Sequence, residues 1–293
     1  MLLSQVFLQS VVIILPVILV SYLVIKNLKQ LKREKRNPFD EDELIRHPGQ
    51  SLLEKLEEVN EDLTADVAGM VACPLMFALA YYLQIDKLQE NWWIYAMTVA
   101  SSLAGTLYFA SHAQKTLITL RNYRLGYQGE LYVAQKLEHF LTKGYRVFHD
   151  VVFKGFNIDH VLVGPTGVYI IETKAKRKRN DDPKGHELRY DGKRLTFSDD
   201  SFDVKTLEQA KRNAGTLSKL IENEAKETIP VYPIVTYPGW NIDRVGKGTV
   251  HVINPKQLTQ APNAFPNRYL TNDQVEKITM VLNFCASRAK DKS

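Results

Sequence analysis

Two short stretches decide the fold: Ile158-Asp159-His160-Val161-Leu162-Val163-Gly164 and Val168-Tyr169-Ile170-Ile171-Glu172-Thr173-Lys174. Each is an apolar run rich in β-branched residues, which is typical of a strand. Gly164-Pro165-Thr166-Gly167 between them is a turn signal, so the two runs are predicted to form an antiparallel hairpin. A hairpin brings side chains that are distant in sequence next to each other. We therefore expect the acidic residues of both runs, and the lysine that ends the second, at one end of a short sheet.

Asp159, Glu172 and Lys174 form a candidate site. Two converging carboxylates can bind a hard cation such as Mg²⁺, and a lysine beside it can position a water molecule or neutralise a phosphate. Charged residues are also common at strand ends, and an E-x-K tripeptide alone has little specificity. The apolar run before Glu172 favours a functional carboxylate, because an unpaired charge emerging from a buried strand is costly. This pattern indicates metal-dependent phosphodiester cleavage.

The elements around the hairpin predict an α/β domain with a central mixed sheet flanked by helices. Apolar residues recur at helical spacing after Gly126, and an Asp-Gly pair at 191–192 predicts a second hairpin. In chain order we expect a helix over 126–144, a strand over 145–153, the first hairpin, strands over 186–190 and 194–197, a helix over 202–223, strands over 230–237 and 249–253, and a helix over 273–289.

The basic charge of the chain is concentrated in its C-terminal part. The 293 residues carry a net charge of +5, whereas residues 115–293 contain 29 Lys and Arg against 20 Asp and Glu. A basic run directly after the candidate strand favours a polyanionic substrate over a merely solvated loop, and nucleic acid over anionic lipid because of the adjacent carboxylates. The run comprises Lys176, Arg177, Lys178 and Arg179. The two cysteines match no metal-ligand spacing, and a disulfide is not expected.

The N-terminal third predicts three transmembrane helices. Residues 1–25, about 67–85 and about 92–113 are apolar runs long enough to cross a bilayer, and the last two form a predicted helical hairpin within residues 67–114. A signal peptide is the alternative for the first run, although its basic n-region and cleavage site are missing, and buried helices of a soluble domain are the alternative for the other two. The basic residues that follow the first run predict a cytoplasmic side for residues 26–66 and for residues 115–293. Residues 26–66 are interpreted as a charged, solvated connector with a short helix capped by Ser51.

Four motifs together resemble the NERD (nuclease-related) domain of the restriction-endonuclease-like PD-(D/E)xK superfamily. They are Gly126-x-x-Gly129-Glu130, the two strand stretches quoted above, and Gln209-Ala210-x-x-Asn213-Ala214. The resemblance covers about residues 120–240, within a domain that spans 115–293 with a C-terminal extension. It implies a restriction-endonuclease-like core.

The resemblance also implies roles for individual residues. Asp159 and Glu172 would bind Mg²⁺, with Mn²⁺ as a second candidate, and Lys174 would act on the attacking water or the phosphate. Glu130 would assist the metal site from the first helix, and Gln209 would face the site from a later helix. Each has a simpler alternative: Glu130 could favour a helix N-terminus, and Gln209 could lie on the surface. Two departures are Ile158, where the superfamily motif has proline, and Asn213, where some relatives carry tyrosine.

Three hypotheses follow. The first is a multi-pass protein of the cell (inner) membrane whose cytoplasmic domain is a metal-dependent nuclease, with DNA favoured over RNA. The second is a catalytically idle nuclease fold that binds nucleic acid or a partner at the membrane. The third is a lipid-surface scaffold driven by the basic residues. The presence of Asp159, Glu172 and Lys174 favours the first. The sequence leaves oligomeric state, strandedness, and endo- or exonuclease action open.

Overall fold

The chain folds as two units. The computed structural model describes Lys26 and residues 46–83, 92–153, 155–178, 185–266 and 269–288. One unit contains Val59–Thr119, and the other contains the described residues of Leu44–Glu58 and Leu120–Ser293. The first predicted membrane span, residues 1–25, lies outside the described residues.

Two helices are much longer than the sequence predicts. Helix α1 is Gln50–Leu83 and helix α2 is Trp92–Leu141. The short connector helix and the second predicted span are therefore one element, and so are the third span and the first helix of the C-terminal domain. The prediction of separate helices was wrong. The change from charged to apolar residues near Asp66 does not interrupt helical hydrogen bonds, and a single glycine such as Gly126 costs a long helix only about 1 kcal/mol.

In the first unit, the two helices run antiparallel. Asp66 Oδ2 lies 2.7 Å from Nδ1 of His112 on the other helix. Further along the pair, the rings of Tyr81 and Tyr95 are in contact, with centroids 5.3 Å apart. Small residues allow the close approach: a Cβ at Gly69 would lie 2.5 Å from the ring of Phe109. Close helix contacts at small residues are common in membrane helices and also occur in soluble bundles.

One helix in the described part of the chain, Gln50–Tyr82, is long and apolar enough to cross a membrane. The third predicted span, now the start of α2, does not reach that hydropathy, because Ser and Thr residues and Gly105 dilute its apolar run. Within the described residues, the structure therefore offers one candidate span where the sequence predicted more.

The second unit contains a five-stranded sheet in the order β1-β2-β3-β7-β9. Strands β1, β2 and β3 are antiparallel neighbours, whereas β3, β7 and β9 are parallel. The predicted hairpin is confirmed as β2 and β3. The strands are Arg146–Phe153 (β1), Phe156–Gly164 (β2), Gly167–Thr173 (β3), Val231–Thr236 (β7) and His251–Ile253 (β9).

A smaller, four-stranded sheet in the order β6-β5-β4-β8 was not predicted as a separate sheet. Its strands are Glu187–Tyr190 (β4), Leu195–Phe197 (β5), Phe202–Asp203 (β6) and Asn241–Arg244 (β8). The predicted β4–β5 hairpin is confirmed. The predicted helix start at residue 202 was wrong, because residues 202–203 pair with β5 and helix α3, Lys205–Ala225, begins only after them.

Both faces of the five-stranded sheet are covered. One face packs on α3 and on the C-terminal helix α4, Asn272–Arg288, and the other packs on the last turns of α2. A 3₁₀ helix, Pro255–Ala264, contributes Leu258 and Ala261 to this second face. Because both faces are buried, β3 is apolar without alternation, and every one of its residues is buried.

Candidate functional site

The site is organised around Glu172, the penultimate residue of β3. Its carboxylate is buried, with 1% of the residue exposed. Glu172 Oε1 accepts a hydrogen bond from Lys174 Nζ at 2.8 Å and one from Gln209 Nε2 at 2.7 Å. Lys174 comes directly after the end of β3, and Gln209 lies in the first turns of α3. One oxygen of a buried carboxylate is thus bound by a cation and an amide.

Lys174 is held between the strand and the helix. Its Nζ also contacts Gln209 Oε1 at 3.3 Å, so it lies on the same side as Glu172, as strand alternation predicts. Burial disfavours the ammonium form, but the charge and the hydrogen bond of Glu172 outweigh it and raise the pKa of Lys174. Lys174 therefore remains a cation across the physiological pH range.

Asp159 lies on β2 next to this centre. The register places His160 opposite Ile171, and continuing it by one residue brings Asp159 opposite Glu172. Its Oδ2 accepts a hydrogen bond from the backbone N–H of Thr173 at 2.7 Å. Burial, followed by repulsion from Glu172 and Glu130, raises the pKa of Asp159 well above its ordinary value.

Glu130 reaches the same centre from α2. It is 5% exposed, and burial together with the charges of Asp150 and Glu172 raises its pKa to about 7, from an ordinary value of 4.5. Gly49 lies beside this carboxylate, since a Cβ added at Gly49 would be 3.6 Å from Glu130 Oε2. Three acidic side chains from three elements therefore repel one another in a buried setting, partly offset by Lys174.

Two oxygens of this cluster have no hydrogen-bond partner among the described residues. They are Glu130 Oε2 and Glu172 Oε2, and both are buried. Buried polar atoms without partners are rare in folded proteins, and a cation would satisfy both the free oxygens and the repulsion. In the part of the chain that the structure describes, however, no three His, Cys, Asp or Glu side chains converge closely enough to bind a metal ion. A two-carboxylate site completed by water suits Mg²⁺, which retains several waters in proteins.

Residues 125–238 match the family model of the nuclease-related domain, NERD. The match covers less than half of the chain, and it includes every member of the cluster described above: Glu130, Asp159, Glu172, Lys174 and Gln209. Searches of curated proteins and of solved structures returned no match. The chain thus contains a NERD domain, and the site geometry lies within it.

The basic run of the NERD domain begins directly beyond Lys174. Lys176 Nζ lies 2.6 Å from Ser201 Oγ and 3.6 Å from the ring centre of Phe197. Arg177 Nη2 donates to the backbone oxygen of Arg121 at 2.8 Å. Lys178 and Arg177 are exposed, whereas Arg179 lies outside the described residues. The run therefore adjoins the carboxylate cluster, although Lys176 and Arg177 already have partners within the same folded unit.

Sequence analysis missed Asp203, whose negative charge favours the cationic form of Lys174. Its carboxylate accepts a hydrogen bond from the Thr206 backbone N–H at 3.0 Å and one from the Tyr237 hydroxyl at 3.2 Å, and its charge contributes to the raised pKa of Lys174. An Asp three residues before a Thr at the start of a helix is a capping signal. That signal could have found Asp203 and would also have corrected the start of α3.

His160 was interpreted as a buried core histidine, and it is completely buried. Its Nδ1 lies 2.8 Å from Nδ1 of His149, so one ring donates and the other accepts. Its Nε2 has no partner among the described residues, so the expectation of a fully satisfied side chain was wrong. Burial and the proximity of His149 lower the pKa of His160, which keeps the pair neutral.

Proposed function

We propose that the NERD domain is a divalent-metal-dependent nuclease that cleaves phosphodiester bonds of nucleic acid. The observation that carries the proposal is the buried carboxylate of Glu172, bound on one oxygen by Lys174 and Gln209 and free on the other. Asp159 and Glu172 would bind Mg²⁺, or Mn²⁺ in its place. When bound, the metal polarises the scissile phosphate and lowers the pKa of a coordinated water.

The protein residues would supply position and charge. Lys174 remains an ammonium ion in contact with Glu172, and from there it would neutralise charge that develops on the phosphate. Gln209 fixes the rotamers of both Glu172 and Lys174, because it hydrogen-bonds the first and contacts the second. Glu130 would add negative charge to the site once a cation lowers its pKa towards the ordinary range.

Substrate binding would come from the basic run and from the net charge of the domain. The exposed cations Arg177 and Lys178 lie beyond the strand that ends in the site, so a polyanion that follows them would reach Lys174. DNA is the preferred substrate of this proposal and RNA the second. Double- and single-stranded forms of each therefore belong in the assay.

The test is metal-dependent cleavage by the full chain in detergent micelles. The isolated domain from residue 115 onwards is a poor choice, because residues 46–58 belong to the same folded unit. We expect cleavage with Mg²⁺ that EDTA abolishes, and loss of cleavage in Asp159→Ala, Glu172→Ala and Lys174→Ala. Asp243→Ala, at an exposed position of β8, serves as the matched control. Cleavage at the wild-type rate by any of the three variants would remove that residue from the mechanism.

A second candidate is an idle nuclease fold that binds nucleic acid without cleaving it. The observation in its favour is that no three potential ligands among the described residues form a ready metal site. This alternative predicts salt-sensitive binding by the wild-type protein, no cleavage with any divalent cation, and the same affinity in Asp159→Ala.

We further propose that the chain is a multi-pass protein of the cell membrane with its NERD domain on the cytoplasmic side. This is supported by the candidate span in α1 and by exposed apolar side chains on both long helices, among them Leu75, Met76 and Leu107. Membrane fractionation with an alkaline carbonate wash is the first test. Release of the protein into the soluble fraction would overturn the proposal.

A further inference from the structure

The segment of residues 46–51 folds onto the NERD domain, although it lies far outside the matched range. The Arg46 guanidinium donates to Asp150 Oδ2 from Nη2 at 2.7 Å and from Nε at 3.0 Å. Ser51 donates to the same carboxylate from its backbone N–H and from its hydroxyl, both at 2.8 Å. What looked in sequence like part of a solvated connector is bound to a buried acid of β1.

The burial and the backbone conformation of Asp150 both suit this contact. It is completely buried and has a φ of 47°, a conformation that few residues other than glycine adopt. Asn157 completes its partners with a hydrogen bond of 2.7 Å to Oδ1. Because Ser51 lies in the first turn of α1, the carboxylate also binds a backbone N–H that the helix itself leaves unpaired, at the end where negative charge is favourable. The hydrogen bonds that both carboxylate oxygens accept thus offset the cost of the strained backbone at Asp150.

The same segment contacts the catalytic cluster through Gly49. A Cβ added at Gly49 would lie 3.6 Å from Glu130 Oε2, so the turn lies directly against this carboxylate. Gly49 has a φ of 72°, and an added Cβ would lie 2.6 Å from the ring of Tyr127. The turn therefore requires glycine on two independent grounds, backbone conformation and space. Asp150 holds this turn at Ser51, two residues after Gly49, and the turn borders the space that Glu130 Oε2 occupies.

We propose that residues 46–51 are a positioning element of the nuclease site, in which Asp150 and Gly49 act through Glu130. The inference rests on the proposed function for its catalytic part. None of these residues touches substrate: Asp150 immobilises the segment, and Gly49 lies against Glu130 Oε2 and so limits where this carboxylate can sit. The NERD domain is then incomplete without a segment that precedes its matched range by more than seventy residues.

The first experiment measures cleavage by the full chain in micelles with Gly49→Ala and Asp150→Asn. Losing a residue that orients a metal-site carboxylate lowers activity by about 10- to 100-fold in general, and we expect that loss in kcat. KM for the nucleic acid should stay unchanged, because the substrate contacts lie elsewhere. Asp243→Asn, which makes the same chemical change at an exposed position, should match the wild type. A rise in KM with unchanged kcat would overturn the inference.

A double-variant cycle separates positioning from general damage. If Gly49 acts only through Glu130, Gly49→Ala should lower kcat in the wild-type background and have no further effect in a Glu130→Ala background. Additive losses in the double variant would overturn the assignment. If Asp150→Asn fails to fold, Arg46→Met breaks the Arg46–Asp150 ion pair by changing its more accessible partner. The cycle of Gly49→Ala with Glu130→Ala still tests whether Gly49 acts through Glu130.

The second readout does not depend on activity. Hydrogen exchange of residues 49–53, measured by mass spectrometry, should accelerate at least tenfold in Asp150→Asn and in Glu130→Ala, while exchange in β3 keeps its wild-type rate. Unchanged exchange of residues 49–53 in both variants would show that the segment is not fixed by these acids. If the wild-type chain cleaves no substrate, the proposed function and the catalytic part of this inference fail together, whereas the exchange data still decide the contact between Gly49 and Glu130.

Discussion

Replacing Glu130 by glutamine should make the metal-free protein more stable, and only at neutral to alkaline pH. The pKa of Glu130 is raised from 4.5 to about 7 by burial and by neighbouring acids. Between these two values the folded protein keeps a proton that the unfolded chain releases, so folding stability falls as the pH rises. Each unit of pKa shift corresponds to 1.36 kcal/mol, which gives a penalty of about 3 kcal/mol above pH 7 and none below pH 4.5. Glutamine has nearly the same size and shape as glutamate but carries no charge, so it removes the penalty.

The assay is urea unfolding of the full chain in micelles between pH 4.5 and pH 8.5, with EDTA present. Fluorescence of the buried Trp240 reports on the NERD domain once Trp92 and Trp93 are replaced by phenylalanine. We expect the unfolding free energies of Glu130→Gln and wild type to coincide at pH 4.5 and to differ by about 3 kcal/mol at pH 8. Glu138→Gln, at an exposed position of the same helix, should show no such divergence.

Excess Mg²⁺ should narrow the difference at pH 8, because a bound cation stabilises the ionised form of the wild-type carboxylate. Parallel stability curves across the whole pH range would refute the reasoning, since Glu130 would then have an ordinary pKa and no close acidic neighbours. A variant that is less stable than wild type at pH 8 would refute it equally, because the charge would then be favourable.

Three further predictions concern other parts of the chain. Asp150→Asn should destabilise the fold by about 3–5 kcal/mol at pH 7, the usual cost of breaking a buried ion pair. Hydrogen bonds from Asn157, Ser51 and Arg46, together with the charge of Arg46, hold the pKa of Asp150 below its ordinary 3.8 against burial. The wild type therefore loses this advantage as the pH falls through the low folded-state pKa, and the unfolding free energies of wild type and variant should differ at pH 7 and approach each other in acid. Replacing the four cations of the basic run by glutamine should weaken binding to nucleic acid and make the affinity less dependent on salt. The four positions are Lys176, Arg177, Lys178 and Arg179. An unchanged affinity would mean that the run only solvates the surface. A reporter fused after Ser293 should behave as cytoplasmic, and a reporter signal from outside the membrane would reverse the proposed topology.

Local patterns were sufficient for the hairpin and for the cluster at its end. Strand alternation and the turn signal depend only on neighbouring residues, so they predicted β2, β3 and the common side of Glu172 and Lys174 correctly. The family resemblance added Glu130 and Gln209, which no local pattern singled out, and the structure brings both to Glu172 or its immediate neighbours. Helix ends were predicted poorly, because a single glycine is a weak stop signal in a long helix whose other residues favour it.

The contact of residues 46–51 with Asp150 was decided only by the tertiary structure. Arg46 and Ser51 are separated from Asp150 by 104 and 99 positions, and nothing in the local composition of either segment indicates the other. A basic residue near a helix start is interpreted from sequence as solvated, since most such residues are. Asp150 reverses that interpretation because it is fully buried and needs several donors, and only the folded chain brings those donors to it. The sequence by itself therefore determined the strand pair and the acids it carries, whereas long-range packing determined which distant segment completes their surroundings.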